Sequence, residues 1–228
     1  MLILALDTSG ESLSVSILEN KKIISKIYVK NKNFHSEKIL SCTQDIIKNS
    51  GYELKNIDLF AVCNGPGSFT GIRVGMAFIK GMTFMLEKPC IGISSLLALA
   101  YQFKCSEQEI IYSCLYANQD EIYFNSYINK TKKNSLKICQ NQSDNFLKIS
   151  EIEKKAKNEE KKIIFVGNMA EICYNKIAAT CSNVHKFYNT NVDSDYIGQA
   201  AYDEYSSNNY LNKKLEANYI KNSRAEKI

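Results

Sequence analysis

Three stretches of this chain hold residues whose types and spacing could do chemistry. They are Asp7-Thr8-Ser9-Gly10, His35-Ser36-Glu37 and Asn64-Gly65-Pro66-Gly67-Ser68-Phe69-Thr70-Gly71-Ile72-Arg73. A carboxylate placed like Asp7, at the end of a first strand, can hold Mg²⁺ or a water in nucleotide-handling folds; equally, Asp7 can simply form the turn. A glycine turn that opens a helix can offer backbone N–H groups and a positive dipole end to a phosphate. The third stretch, however, has neither the Gly-Lys-Ser/Thr ending of a P-loop nor a Gly-x-Gly-x-x-Gly run. The same glycines are also needed just to turn a chain tightly at a sheet end, and this structural reading leads. His35 and His185 are the two histidines, 150 positions apart, with no His-x-x-x-His pair. A metallohydrolase or protease is therefore not indicated, and His35 reads as a capping or surface residue. No Gly-x-Ser-x-Gly elbow and no Cys–His constellation occurs.

The elements that must position these residues follow from periodicity. Leu2–Leu6 is a continuous apolar run, hence a strand buried on both faces. Ser12–Leu18 alternates, with Leu13, Val15 and Ile17 against three serines, and predicts a half-buried strand. Ile23–Val29 completes an antiparallel meander. Ser36 is the expected N-cap of a helix carrying Ile39, Thr43, Ile46 and Ile47 on one face, with Gly51 at its C-terminal αL position. Leu59–Cys63 is a short buried strand. After it, Gly65 and Gly67 can take positive φ, Pro66 holds a turn value, and Ser68 or Thr70 caps a helix. From Ile72 to Leu86 that helix is apolar nearly all round, with Arg73 and Lys80 its charges. It is too short and too charged for a membrane span. It is a helix buried in the core or one partly buried against a partner, with Gly75, Ala77 and Gly81 leaving flat patches. Cys90–Ile93 adds a strand, and Ser94-Ser95 caps a helix over Leu96–Phe103.

The second half predicts strands at Glu109–Leu115, Glu121–Ile128, Ser135–Gln140, Ile163–Val166 and Val184–Tyr188. Helices are expected over Asn145–Lys157, from after Gly167 to Ala179, and over Tyr196–Tyr205. The division expected is 1–103 and 104–228, with the last helix packing back on the first half.

The chain has 228 residues, 45% of them hydrophobic, enough to fill a core. Its net charge of +5 rests on 29 basic residues, of which two are arginine. Arginine is the side chain suited to phosphates and guanine edges, so a nucleic-acid surface is disfavoured. The eight cysteines are scattered singly, which suits reduced thiols in a cytoplasmic protein and neither a zinc ribbon nor a redox pair. Met1–Leu6 lacks a basic n-region and does not read as a signal peptide.

Four motifs in order carry a resemblance: Leu4-Ala5-Leu6-Asp7-Thr8-Ser9, His35-Ser36-Glu37, Gly65-Pro66-Gly67-Ser68-Phe69-Thr70-Gly71-Ile72-Arg73-Val74-Gly75 and Ile91-Gly92-Ile93-Ser94-Ser95-Leu96. Together they resemble the TsaB (YeaZ) family, which supplies a subunit of the bacterial machinery making threonylcarbamoyladenosine in tRNA. The resemblance implies an α/β fold of the actin, sugar-kinase and Hsp70 superfamily, with two ribonuclease-H-like subdomains and mixed sheets. It implies an accessory scaffold subunit with no catalytic residues, metal or cofactor of its own. The partner implied is a TsaD-like catalytic subunit, with a TsaE-like ATPase joining through the complex, indirect tRNA contact and a homodimer in isolation. The interface expected comprises Ser36, Glu37, Leu40, Thr43, Ile47, Ile72, Gly75, Met76, Ile79 and Lys80. A nucleotide or structural loop is expected from Asp7, Thr8, Ser9, Gly65, Pro66, Gly67, Ser68, Thr70, Gly71 and Arg73. The alternative function is an ATP-binding phosphotransferase or ATPase, with Asp7 near Mg²⁺ and the glycine turn at the phosphates. The chain departs from the family where Tyr116-Ala117-Asn118 stands for Asp-Ala-Arg, and where Ala217-Asn218-Tyr219-Ile220-Lys221 stands for Pro-x-Tyr-Leu-Arg.

Overall fold

Strand β1 (Leu2–Asp7) is the centre of a five-stranded sheet, and all six of its residues are buried. β2 (Ser12–Glu19) and β3 (Lys22–Lys30) extend it as an antiparallel meander. β4 (Leu59–Gly65) and β5 (Cys90–Ser94) add in parallel on the other side, giving the order β3-β2-β1-β4-β5. The protein is seen in a computed structural model that describes residues 1–30, 35–103, 105–118, 121–132, 135–140, 143–207 and 215–220.

Helix α1 (His35–Ser50) links β3 to β4 and ends at Gly51, whose φ is +76°. It begins one residue before Ser36, so Ser36 lies within the helix and not at its cap; the side chain of Ser36 is outside the described set. Helix α2 (Phe69–Leu86) links β4 to β5, and Ser68 caps it by accepting the Gly71 N–H at 3.2 Å. Helix α3 (Ser95–Tyr101) follows β5, its first turn held by the Ser94 hydroxyl, which accepts from Leu96 N–H at 3.2 Å. One face of the sheet, with Leu4, Leu6, Val15, Phe60 and Val62, packs on Ile39 and Ile46 of α1 and on Ile72, Met76 and Ile79 of α2. Burying an isoleucine as fully as Ile79 (0% exposed) contributes about 2 kcal/mol, so a few such contacts fix α2 on the sheet.

The half-buried β2 expected from alternation is corrected: Ser12, Ser14 and Ser16 are all buried. The reason is helix α6 (Ser194–Ser206), which covers the serine face. The Ser194 N–H donates to Ser14 Oγ at 2.9 Å, and Ser16 Oγ bonds both Ser194 Oγ and Asp195. Gly198 has no Cβ to collide with Leu18, so the helix settles directly on the strand. The buried Ser14 and Ser16 hydroxyls are tolerated here because each has a partner.

The remaining strands form a second sheet: β6 (Glu109–Tyr116), β7 (Glu121–Lys132), β8 (Ser135–Gln140), β9 (Asn145–Lys148), β10 (Lys162–Val166) and β11 (Val184–Tyr188). Its order, β11-β10-β6-β7-β8 with β9 also pairing β7, repeats the plan of the first: an antiparallel meander on one side of the central strand and two parallel strands on the other. Helices α4 (Ile149–Lys157) and α5 (Ala170–Ile177) pack on it around Tyr112, Phe124 and Phe165. The helix expected over Asn145–Lys157 is shorter, because its first four residues pair with β7 as a strand, Leu147 opposite Ile122. The chain divides into two compact units. Met1–Ala98 groups with Val192–Tyr219 as one, which therefore includes α6, and Leu99–Asn191 forms the body of the other.

Candidate functional site

Two turns meet at the end of the first sheet. The β1–β2 turn carries Asp7, Thr8 and Ser9, and the β4–α2 turn carries Gly65 to Gly71. They are sewn together: Ser68 N–H donates to the Ser9 carbonyl at 2.7 Å, and Thr8 Oγ1 donates to the Gly71 carbonyl at 2.7 Å. Closeness requires the glycines. A Cβ on Gly67 would lie 2.5 Å from the Ser9 carbonyl oxygen, and one on Gly71 would collide with the Thr8 carbonyl. Gly65 (φ +101°) sits in a backbone region that favours glycine, before a cis Gly65–Pro66 bond. Thr70 and Arg73 are exposed on the first turns of α2.

Asp7 is 0% exposed. Its Oδ1 accepts Ser9 N–H at 2.9 Å and Ser9 Oγ–H at 2.7 Å, while Oδ2 has no hydrogen-bond partner among the described residues. Burial pushes its pKa above the usual carboxylate range, against the lowering pull of the Ser9 bonds. Burial likewise raises the neighbouring Cys63 thiol, and the Asp7 charge adds to it. Among the described residues no three His, Cys, Asp or Glu side chains converge as a metal site. The arrangement is a closed turn pair, with the Ser9 carbonyl against Gly67 and the Thr8 carbonyl against Gly71.

The second feature is the outer surface of α1 and α2. Of the interface residues expected, Ile72, Met76, Ile79 and Thr43 are buried at 1%, 6%, 0% and 4%. Gly75 is buried too, and a Cβ there would collide with Thr8 Oγ1. The four on α2 are corrected: Ile72, Gly75, Met76 and Ile79 face the unit's own core, because i, i+3, i+4, i+7 from Ile72 is the stripe that seats α2 on the sheet, whereas Thr43 on α1 lines the groove described next. Glu37, Leu40 and Lys80 are exposed, and Ile47 is half-buried. Between the two helices runs an apolar groove of about 370 Å³, lined by Leu40, Thr43, Ile47, Leu54, Phe78 and Met82 among others. Beyond it on α2, Phe84 and Met85 stand 88% and 83% exposed. They lie beside Gly81, where an added Cβ would meet nothing within 4 Å. Phe84, Met85, Phe78 and Met82 were missed because α2 is apolar on every side; the i+4 row of Arg73, Ala77 and Gly81 marked the outer face. By length and composition alone α2 could cross a membrane, but its core stripe is built into the sheet.

Of the departures from the expected family pattern, Asn118 closes the β6–β7 turn, its Oδ1 accepting Glu121 N–H at 3.0 Å. Tyr116 is exposed at the end of β6, and Ala217 packs on the first unit's core. Lys221 lies outside the described residues.

Comparison with known proteins completes the picture. The family model TsaD, tRNA N6-adenosine threonylcarbamoyltransferase, matches residues 22–224. The tRNA threonylcarbamoyladenosine biosynthesis protein TsaB of Buchnera aphidicola subsp. Schizaphis graminum is 32% identical over 168 residues, covering 73% of this chain and 78% of that protein. The chain spans about half the length of two further TsaB relatives, 53% of that from Haemophilus influenzae and 55% of that from Escherichia coli. Among solved structures, YeaZ from Pseudomonas aeruginosa superposes with a TM-score of 0.74 at 21% identity, over 91% of this chain and 93% of that one. The ROK hexokinase of Thermus thermophilus superposes at 0.50 and 9% identity, over 89% and 98%. These two bear out the expected actin-like, sugar-kinase-like fold. With the four motifs in order, the paired mixed sheets and these matches, the chain belongs to the TsaB (YeaZ) family and shares the TsaD family model.

Proposed function

We propose that this chain is a non-catalytic accessory subunit in the making of threonylcarbamoyladenosine at adenosine 37 of tRNA, docking a TsaD-like threonylcarbamoyltransferase through the outer face of α1 and α2. The observation that carries the reading is the exposure of Phe84 and Met85 at 88% and 83%, on the same helix that lines the Leu40–Ile47–Phe78–Met82 groove. Exposed apolar surface of this kind marks an interface. The occupant follows from kinship. The model matched over 22–224 is the transferase's own, so a TsaD-like subunit is built on the same strand–turn–helix plan and presents a counterpart of α2. Two related apolar helices can pack about a near-two-fold axis. The same face then closes on a second copy when the transferase is absent. A TsaE-like ATPase joins through the resulting cytoplasmic heterodimer, and tRNA is held chiefly by the catalytic partner.

The rival reading is ATP hydrolysis. The buried Asp7 and the sewn turns weigh against it, since the carboxylate is fully enclosed and the Gly71 N–H is already taken by Ser68 Oγ. Titration calorimetry with the TsaD-like subunit from the same cell tests the choice. Phe84→Asp and Leu40→Asp are expected to cut affinity at least thirty-fold with unchanged thermal unfolding, which corresponds to about 2 kcal/mol or more for a buried aromatic or aliphatic anchor. Full affinity in both well-folded variants would sink the docking reading. Phosphate release by the isolated chain that Asp7→Asn abolishes would reverse the ranking.

A further inference from the structure

Residues 215–219 lie across the β4–α2 turn as a strap. Leu215 and Ala217 pack on the first unit's core. The Asn218 N–H donates to the Asn64 carbonyl at 2.7 Å, and Asn64 Nδ2 donates to the Glu216 carbonyl at 3.0 Å. Gly92 leaves the seat for Leu215, since a Cβ there would come within 2.9 Å of a Leu215 methyl. The strap ends in a three-membered cluster, each side chain touching the other two. Tyr219 lies on Phe69 with centroids 5.0 Å apart, the Arg73 guanidinium sits 3.7 Å from the Phe69 centroid, and Arg73 Nε donates to Tyr219 Oη at 2.8 Å.

Two features give this cluster meaning. The first turns of α2 contain Gly71 and Gly75, both poor helix formers, and the outward residues Thr70, Arg73 and Ala77 are exposed. Phe69, Arg73 and Tyr219 cluster at that end of the helix. Second, Arg73 is one of two arginines among 29 basic residues. A planar guanidinium can lie flat on one ring while its Nε donates to the hydroxyl of a second; a lysine ammonium has no plane to lay on the ring.

We propose that Arg73 is a latch joining the C-terminal strap to the partner-facing helix, so that the seated strap holds the first two turns of α2 firm and ready to dock. The latch stands on the geometry alone; its effect on docking rests on the function proposed above. Helix ends with few covering contacts open locally without global unfolding, and ordering them beforehand removes part of the cost of binding.

Native-state hydrogen exchange on the full chain, alone and with the TsaD-like subunit, tests both halves. Arg73→Lys and Tyr219→Ala are each expected to raise exchange of amides 70–76 at least ten-fold, leaving β1 and β4 unchanged. Each is also expected to weaken association five- to twenty-fold, and the double variant no further, because both remove one contact. Wild-type exchange at 70–76 in both variants overturns the latch. Raised exchange with wild-type affinity, while Phe84→Asp still blocks association, overturns only the coupling to docking. Wild-type affinity in Phe84→Asp overturns the docking reading itself and leaves the latch to be judged by exchange.

Discussion

The amide of Ser68 donates to the carbonyl of Ser9 at 2.7 Å, and that bond ties the turn after the central strand to the turn that starts the apolar helix. With Thr8 Oγ1 bonding the Gly71 carbonyl, it makes two segments about 60 residues apart in sequence a single closed feature.

Gly71 and Gly81 should therefore answer oppositely to alanine. At Gly71 the methyl collides with the Thr8 carbonyl, and overpacking against backbone costs about 2–3 kcal/mol. At Gly81 it enters open space, and better helix propensity adds about 1 kcal/mol to the isolated chain. Thermal melts of the two variants are expected to move in opposite directions. Gly81→Ala should at the same time weaken association with the transferase, since the flat patch beside Phe84 is lost.

The Asp7 carboxyl makes a pH prediction. Its folded pKa lies above the unfolded value because burial disfavours the charge. Its favourable contribution is fully present below the unfolded pKa, near 4, and is lost as pH rises through the folded value. Asp7→Asn keeps an acceptor for Ser9 and carries no charge. Denaturant unfolding is expected to show variant and wild type equal near pH 4, with the variant gaining steadily above it. A gap that stays constant from pH 4 to 8 would remove the buried charge from the account.

Lys26 holds the N-terminus of α6 on the first sheet. Its ammonium donates to Asp193 and, at 2.8 Å, to Asp195. Burial alone would lower its pKa, but the two carboxylates outweigh it and leave the pKa raised. Lys26→Met leaves Asp195, 8% exposed at its side chain, without its cation. A cost of about 1–2 kcal/mol at pH 7 is expected, moderated because the lysine is partly solvated. Since the folded pKa is raised, the wild-type advantage should persist through neutral pH and fade only in alkali, as the ammonium deprotonates. A chevron or equilibrium unfolding series across that range measures it.

Much of this was legible in the sequence, for stated reasons. Leu2–Leu6 and Leu59–Cys63 are unbroken apolar runs, and only a strand buried on both sides accommodates them. The crowding of Gly65, Gly67 and Gly71 announced a close backbone approach. What stayed hidden depended on residues far along the chain. The burial of Ser14 and Ser16 needs Ser194 and Asp195, about 180 positions later. Arg73 finds its partner 146 positions on, at Tyr219. The outer face of α2 was misassigned to Ile72, Gly75, Met76 and Ile79 for a different reason: a helix apolar all round has no polar side to set the phase. In β9, four residues were too few to stand out from the lysine- and glutamate-rich run behind them.

The two sheets repeat one plan, yet the repeat is unequal in its connections. The helix after β4 spans 18 residues, while α5, its counterpart after β10, spans eight and buries Ala170, Cys173 and Ile177 against its own sheet. The framework thus occurs twice and, among the described residues, the long apolar helix once. On the docking proposed above, a single such berth sets the stoichiometry: assembly through it stops at a pair and does not propagate into a filament.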